Sequence, residues 1–482
     1  MCWPCVYEGM KIKALFLALT LITISVAAQT PALPDTPAAK QFAAWLEAFN
    51  SGDRATMLAF QQKNNPSRAD RIDSTMGFRA QTGGFEFKKA GESTATKFTG
   101  IVKERNSDQF AQFTIEVEAT EPHKIVDLNL GAIPTPTEFA PARMSQPDAL
   151  AALRAQMEKS TAEDKFAGAA MVVKDGKPVF SAAYGLADRE KKTPDKVSTQ
   201  FRIGSMNKMF TATATLQLVQ AGKLQLTDTI GKILTDYPNA DVASKVTIHH
   251  LLTHTGGTGD IFGPEFETHR RELKTLQDYV KLYGKRGLEF EPGSKWEYSN
   301  YGFLLLGVIV EKVSGQSYYD YVAEHIFKPA GMTATASLSE DEVVPSRSIG
   351  YTKFDGSADW KPNTDTLPYR GTSAGGGYST VEDLTRFAAA LQGHKLLDAK
   401  HTELLTTGKV ETPRGGDKYA YGFFDHKVAG VRCFGHGGGA PGMNGELEIC
   451  PELGYVIAVL ANLDPPAAQR MAEFVGSRLP VH

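Results

Sequence analysis

Residues 201–210 read FRIGSMNKMF. They place Ser205 three positions before Lys208, at the start of a longer run, SMNKMFTATATLQLVQAG, with helical periodicity. Gly222 stands just past that run, where a left-handed C-terminal stop belongs. Ser205 is then at the positive end of a helix dipole, with Lys208 on the same face one turn on. Two readings follow. Ser205 is a helix cap followed by a surface lysine, or it is a nucleophile whose proton is drawn off by a partly buried amine. Strings of the form Ser-x-x-Lys arise by chance in a chain of this length, although this is the single instance here. The rest of the chain has to decide.

At 482 residues the chain exceeds one typical domain, and its net charge of −3 supplies no basic field for nucleic acid. Residues 1–28 read as a secretory signal: Lys11 and Lys13, a short apolar run from Ala14 to Val26, then SVAAQT with small residues for cleavage near Ala27 or Ala28. Met10 stands where such a segment begins, and the apolar run is short for a membrane span. Retention as an N-terminal anchor is the other reading. Export, to the periplasm, puts Cys433 and Cys450 in an oxidising compartment. They flank FGHGGGAPGMNGELEI, and a hairpin centred between Pro441 and Gly442 sets them opposite each other. Either a cross-strand disulfide or two buried thiols fits.

Residues 36–133 form a small α+β unit. Phe42, Leu46 and Phe49 recur at helical spacing, a second short helix follows, and from Phe85 to about Ala132 apolar and polar residues alternate as in an antiparallel meander. On this pattern the unit resembles the cone-shaped nuclear-transport-factor-two-like fold, with an accessory role such as dimerisation or protein contacts. Residues 134–147 are a Pro-rich linker, and 148–482 read as one large domain. Its sheet is assembled from both ends: a hairpin turning at Asp175-Gly176, and late strands at KVAGVRCFGHGG, NGELEIC and GYVIAVLANL.

Further motifs bear on Ser205. Tyr298-Ser299-Asn300 lies where a loop meets an apolar helix. A phenol near Lys208 can act as general base and acid, and an amide can orient substrate or lysine. The bland alternative is a packed aromatic and an N-cap at Asn300. His436-Gly437-Gly438-Gly439 ends a strand, where glycines let backbone approach a substrate and an N–H meet an oxyanion. Short strings mislead, however: Tyr237-Pro238-Asn239 and His254-Thr255-Gly256 repeat both patterns. The rival nucleophile is Ser373 in GTSAG, an apparent nucleophile elbow, but no buried strand precedes it and no helix directly follows. His250 and His254, four apart, would share a helix face as metal ligands, yet lack a third ligand and an intervening Glu.

Taken in order, Ser-x-x-Lys, Tyr-Ser-Asn and His-x-Gly, with LLTHTGG and AGGGYST between, resemble the serine beta-lactamase and penicillin-recognising superfamily in its class C, DD-peptidase and esterase branch. The resemblance covers the chain from about Pro147 onward. It implies a beta-lactamase/transpeptidase-like α+β fold, an antiparallel sheet flanked by helices plus a helical subdomain. It implies Ser205 as acylated nucleophile, Lys208 as activator, Tyr298 as base, and Asn300, His436, Gly437 and Gly438 as substrate-binding. It also implies that the N–H groups of Ser205 and Gly439 form the oxyanion hole, with no metal or cofactor. Relatives that carry Lys-Thr-Gly at the third motif have a cation and a hydroxyl where this chain has His436 and Gly437. The departure fits an esterase or D-amino-acid peptidase better than an efficient beta-lactamase. A catalytically weak module that binds peptide or cell wall is the alternative.

Overall fold

The computed structural model describes residues 31–354, 357, 359–413, 416–428 and 430–481. The expected signal segment, with Met10, Cys2 and Cys5, lies outside the described residues. Among the described residues no helix is long and apolar enough to cross a membrane.

The first unit opens with helix α1 (Pro37–Ser51). Thr36 accepts a hydrogen bond from the Ala39 N–H, Pro37 occupies a first-turn position where no N–H is missed, and Gly52 ends the helix at φ 69°. Its buried stripe of Phe42, Trp45 and Phe49 faces a four-stranded antiparallel meander, β1 (Phe85–Ser93), β2 (Lys97–Glu104), β3 (Phe110–Val117) and β4 (Ile125–Ile133). Phe42 stacks on Phe113 at 3.8 Å and meets Phe98 edge-on at 5.6 Å. In chain order α2 (Arg54–Asn64) and α3 (Ile72–Thr82) stand between α1 and the first strand. The hydrophobic period does not foretell α3, because it buries only Ile72 and Thr82.

The second unit begins with α4 (Gln146–Ala162), capped by Ser145, so the helix starts within the expected linker. Strands β5 (Gly168–Lys174) and β6 (Lys177–Tyr184) turn through Asp175 at φ 49° and Gly176 at φ 74°, the left-handed pair a tight two-residue hairpin demands. The late strands are β7 (Val410–Glu411), β8 (Lys418–Tyr419), β9 (Phe424–Val428), β10 (Val431–Ala440), β11 (Met443–Cys450) and β12 (Tyr455–Ala461). They form one sheet with the early hairpin, in the order β7-β8-β9-β10-β11-β12-β5-β6. The seam joins both ends of the unit, Ala461 pairing with Gly168 and Tyr455 with Lys174. Cys433 and Cys450 face each other across the β10–β11 hairpin and are joined by a disulfide, their Cα atoms 4.2 Å apart.

Alternation along β5 and β12 divides the core. Ala170, Val172, Ile457 and Val459 face α4 and the closing helix α8 (Ala467–Gly476). Ala169, Met171, Ala458 and Leu460 face the other side, with α5 (Asn207–Gln220), α6 (Asn300–Ser314) and α7 (Val381–Gln392). Helix α5 is buried nearly all round although rich in threonine. Thr213 and Thr215 return their hydroxyls to the Met209 and Thr211 carbonyls one turn back, at 2.7 and 2.8 Å, so burial leaves no hydroxyl unmet there. The first unit docks on α8 and the residues just after it: Arg470 pairs with Glu104 and Arg478 with Asp108, each at 2.8 Å.

Candidate active site

Ser205 sits in a 3₁₀ turn, Gly204–Met206, directly before α5, and is partly exposed while its neighbours are buried. Gly204 has φ 49°, and a Cβ there would lie 2.9 Å from the Gly439 nitrogen. Only glycine lets the Ser205 turn approach β10 this closely.

Lys208, in the first turn of α5, is fully buried. Its Nζ lies 3.3 Å from Ser205 Oγ, 2.7 Å from Asn300 Oδ1 and 2.7 Å from the Ala374 carbonyl. Three acceptors match the three donors of an ammonium. The aromatic faces of Tyr298 and Phe303 lie 4.7 and 5.5 Å from Nζ, centroid distances. Burial pushes the Lys208 pKa down to about 7, with the Asp260 carboxylate opposing the fall.

Asn300 is the first residue of α6, and the cap before it is Ser299, whose Oγ accepts from the Gly302 N–H at 2.9 Å. The capping reading of Asn300 is thereby corrected. With Ser299 on the helix end, the Asn300 amide is free to face the lysine. Asp260 orients it, accepting from Asn300 Nδ2 at 3.1 Å and from its backbone N–H at 3.2 Å. That leaves Oδ1 toward Lys208 and settles which way the amide points. Asp260 was missed from sequence. It lies forty residues before Asn300 in a glycine-rich loop, and no local pattern marks it.

The remaining candidates fall into place around this centre. His436, on β10, is buried, with Nε2 3.1 Å from Tyr419 Oη. A Cβ on Gly437 would lie 2.6 Å from Glu446 Oε2, and one on Gly438 would run into the Ile203 carbonyl. Ser373 is fully buried, and among the described residues its Oγ has no hydrogen-bond partner. No strand leads into it, and its carbonyl accepts from Thr211 Oγ1 at 2.7 Å. GTSAG is thus a wall of the Lys208 chamber. His250 and His254 do not share a helix face, because the helix ends at Leu252 and His254 turns to φ 59°. His250 takes part in a capping box with Thr247. His254 accepts the Ser299 N–H at 3.1 Å and lies against the Tyr298 ring, centroids 4.3 Å apart. Burial, then the nearby Lys208 and His436, hold its pKa well below the ordinary value, so it is a neutral wall residue. Among the described residues the one grouping with metal-ligand spacing is Cys433, Glu448 and Cys450, whose cysteines are already bonded to each other.

The family model described as Beta-lactamase matches residues 152–478. The chain belongs to the beta-lactamase family. Within it, the chain is 35% identical over 262 residues to "Putative penicillin-binding protein PbpX" of Bacillus subtilis, covering 54% of this chain and 62% of that relative's length. A solved penicillin-binding protein from Bacillus halodurans superposes with TM-score 0.60 at 35% identity, over 65% of this chain and 98% of that one. A D-stereospecific amidohydrolase from Streptomyces superposes with TM-score 0.57 at 28% identity, over 67% of this chain and 97% of that one. The matched fold is the beta-lactamase/transpeptidase one, a mixed architecture of helices and antiparallel sheet. The family match begins at residue 152, after the first unit, so that unit lies outside it.

Proposed function

We propose that this chain is an exported, periplasmic serine hydrolase that works through an acyl-enzyme on Ser205. The observation that carries the reading is the buried Lys208 amine between Ser205 Oγ, Asn300 Oδ1 and the Ala374 carbonyl. A neutral amine gives two N–H bonds to the two closer acceptors and keeps its lone pair for the serine proton. A pKa near 7 makes that neutral form available at ordinary pH.

The steps follow. Ser205 Oγ attacks the substrate carbonyl and its proton passes to the Lys208–Tyr298 pair, the general base of the scheme. The oxyanion is received by the Ser205 and Gly439 N–H groups, brought together by the Gly204 approach. Tyr298, packed over Lys208, relays a proton to the leaving amine or alcohol as the acyl-enzyme forms. Water then attacks the ester on Ser205, with the same groups acting in reverse. The scheme calls on no metal or cofactor.

The substrate class we favour is a D-amino-acid amide or peptide, or an ester, rather than a beta-lactam. The similarity to a D-stereospecific amidohydrolase supports the first. The third motif supports the second half of the statement: Gly437 has no hydroxyl, and His436, bonded to Tyr419, replaces a fixed cation. We assign the first unit, residues 36–133, an accessory or docking role, on its nuclear-transport-factor-two-like pattern. A second reading, a slow-turnover binding module, rests on the penicillin-binding relative.

The deciding experiment is labelling of the mature protein with a fluorophosphonate probe, with the adduct located by mass spectrometry, followed by turnover of D-amino-acid amides and p-nitrophenyl esters. The adduct is expected on Ser205 and lost in Ser205→Ala. Labelling at Ser373 would sink the scheme, and labelling of Ser205 without turnover would favour the binding module.

A further inference from the structure

Asn444 is buried to 1% exposure on β11, opposite Gly439. Its Nδ2 donates to the Gly438 carbonyl at 2.8 Å. Its Oδ1 accepts from the Ala468 N–H at 2.6 Å and the Gln469 N–H at 3.3 Å. These two donors belong to the first turn of α8, a helix whose own N-cap, Pro466, offers no side-chain bond. One amide therefore serves two ends. It caps α8 with its oxygen and holds a β10 carbonyl with its nitrogen, and the opposite chemistry of the partners fixes which way it points.

The Gly438 carbonyl and the Gly439 N–H belong to a single planar peptide unit and point in opposite directions. A bond that holds the carbonyl toward β11 therefore aims the Gly439 N–H away from β11. The Gly439 nitrogen on that far side is the atom the Gly204 turn approaches. Both glycines sit in the paired hairpin, Gly438 with Gly445 and Gly439 with Asn444, so the amide adds a side-chain hold to a peptide that the ladder orients.

We infer that Asn444 is a positioning residue for the oxyanion hole, which sets the plane of the Gly438–Gly439 peptide and thereby the aim of the Gly439 N–H. The inference rests on the reading that this N–H receives the oxyanion. Asn444 does not touch substrate; it acts through the peptide. No backbone step in the scheme changes, but the hole is pre-set before substrate arrives, which is where such donors draw their advantage.

Two variants separate the residue's roles. In Asn444→Asp the carboxylate still accepts from the α8 N–H groups, favourably at a helix N-terminus, but has no donor for the Gly438 carbonyl and repels it. Asn444→Ala removes both bonds, and covers the case in which a buried carboxylate blocks folding. The measurements are Tm, the rate of fluorophosphonate labelling of Ser205 per folded molecule, and inhibition by phenylboronic acid, whose tetrahedral adduct uses the hole. We expect Asn444→Asp to lower Tm, as a buried carboxylate against a carbonyl must, and to label about tenfold more slowly per folded molecule, a part of the 10²–10³ that loss of a whole oxyanion donor costs. Boronate inhibition should weaken in step, and KM for a turned-over substrate should stay put while kcat falls. Asn444→Ala should show the same slowing together with a lower Tm. Labelling of either variant within twofold of wild type overturns the inference while leaving the Ser205 reading intact. Failure of the wild-type protein to label at Ser205 overturns both.

Discussion

Two serines sit along one face of helix α5, and their surroundings differ in kind. Ser205 precedes the helix, reaches the surface in part, and has the Lys208 amine at 3.3 Å. Ser373 lies one turn further along, its carbonyl on Thr211 and its hydroxyl sealed in the core against Gly307. The loop that carries Ser373 gives α5 two acceptors, the Ala374 carbonyl for Lys208 and the Ser373 carbonyl for Thr211. By local pattern GTSAG is as good a nucleophile string as GSMNK. The amine within reach and the partial exposure of Ser205 make the difference; Lys208 belongs to the string itself, but Asn300 and Ala374, which hold it, come from other parts of the chain.

The comparison breaks most visibly at Lys208. Lys208→Ala should slow labelling of Ser205 by about 10²–10⁴, the range of lost general-base catalysis. In the unaltered protein the labelling rate should climb as pH rises through about 7 and then level off, because the lysine pKa is depressed and its neutral form is the active one. A rate flat from pH 5 to 9 would remove Lys208 from the base role.

Packing around Ser373 gives the next effect. A Cβ on Gly307 would lie 2.3 Å from Ser373 Oγ and 2.7 Å from Leu276 Cδ1. Gly307→Ala should lower stability by about 1–3 kcal/mol, the cost of overpacking a core, as read by denaturant unfolding. An unchanged midpoint would show that the loop yields and that Ser373 is less tightly held than its burial implies.

Asp260 tests how the Ser205 side is tuned. Asp260→Asn should slow labelling about tenfold, equivalent to an orienting bond of about 1–1.5 kcal/mol. It should also shift the rising limb of the pH profile to lower pH, because the Asp260 charge opposes the fall in the Lys208 pKa. A shift to higher pH would contradict the placement of that charge. The smallest effect belongs to Ser373→Ala, which removes a buried hydroxyl without a partner among the described residues. It should leave labelling unchanged and alter stability by less than about 1 kcal/mol.

Period and punctuation carried much of the architecture. Alternation announced the meander, most regularly along β2 and β3, because a half-buried sheet buries about every second residue. The Asp175-Gly176 turn and the Pro441-Gly442 hairpin were legible because the chain reverses there within two residues, and the second of these set Cys433 against Cys450. Helix α3 was not legible, since a helix that buries two of its residues shows no stripe. At Tyr298-Ser299-Asn300 the helix start was legible to within one residue. Which polar side chain capped it was not, since Ser299 and Asn300 are both good caps.

The sequence by itself determined the alternating and helical segments, the turns between them, and the spacing that puts Ser205 and Lys208 on one helix face. These are local matters, governed by backbone geometry and by which residues each turn of chain must bury. Only the tertiary structure decided that Lys208 is buried and not solvated, that Asp260 holds Asn300 against it, that Ser373 is sealed, and that Asn444 ties α8 to the Gly438 carbonyl. The physical reason is common to all four. The pKa of an amine, the aim of an amide and the access of a hydroxyl depend on what lies within a few ångströms, and here those neighbours range from six residues away, Gly438 from Asn444, to more than a hundred, Ala374 from Lys208.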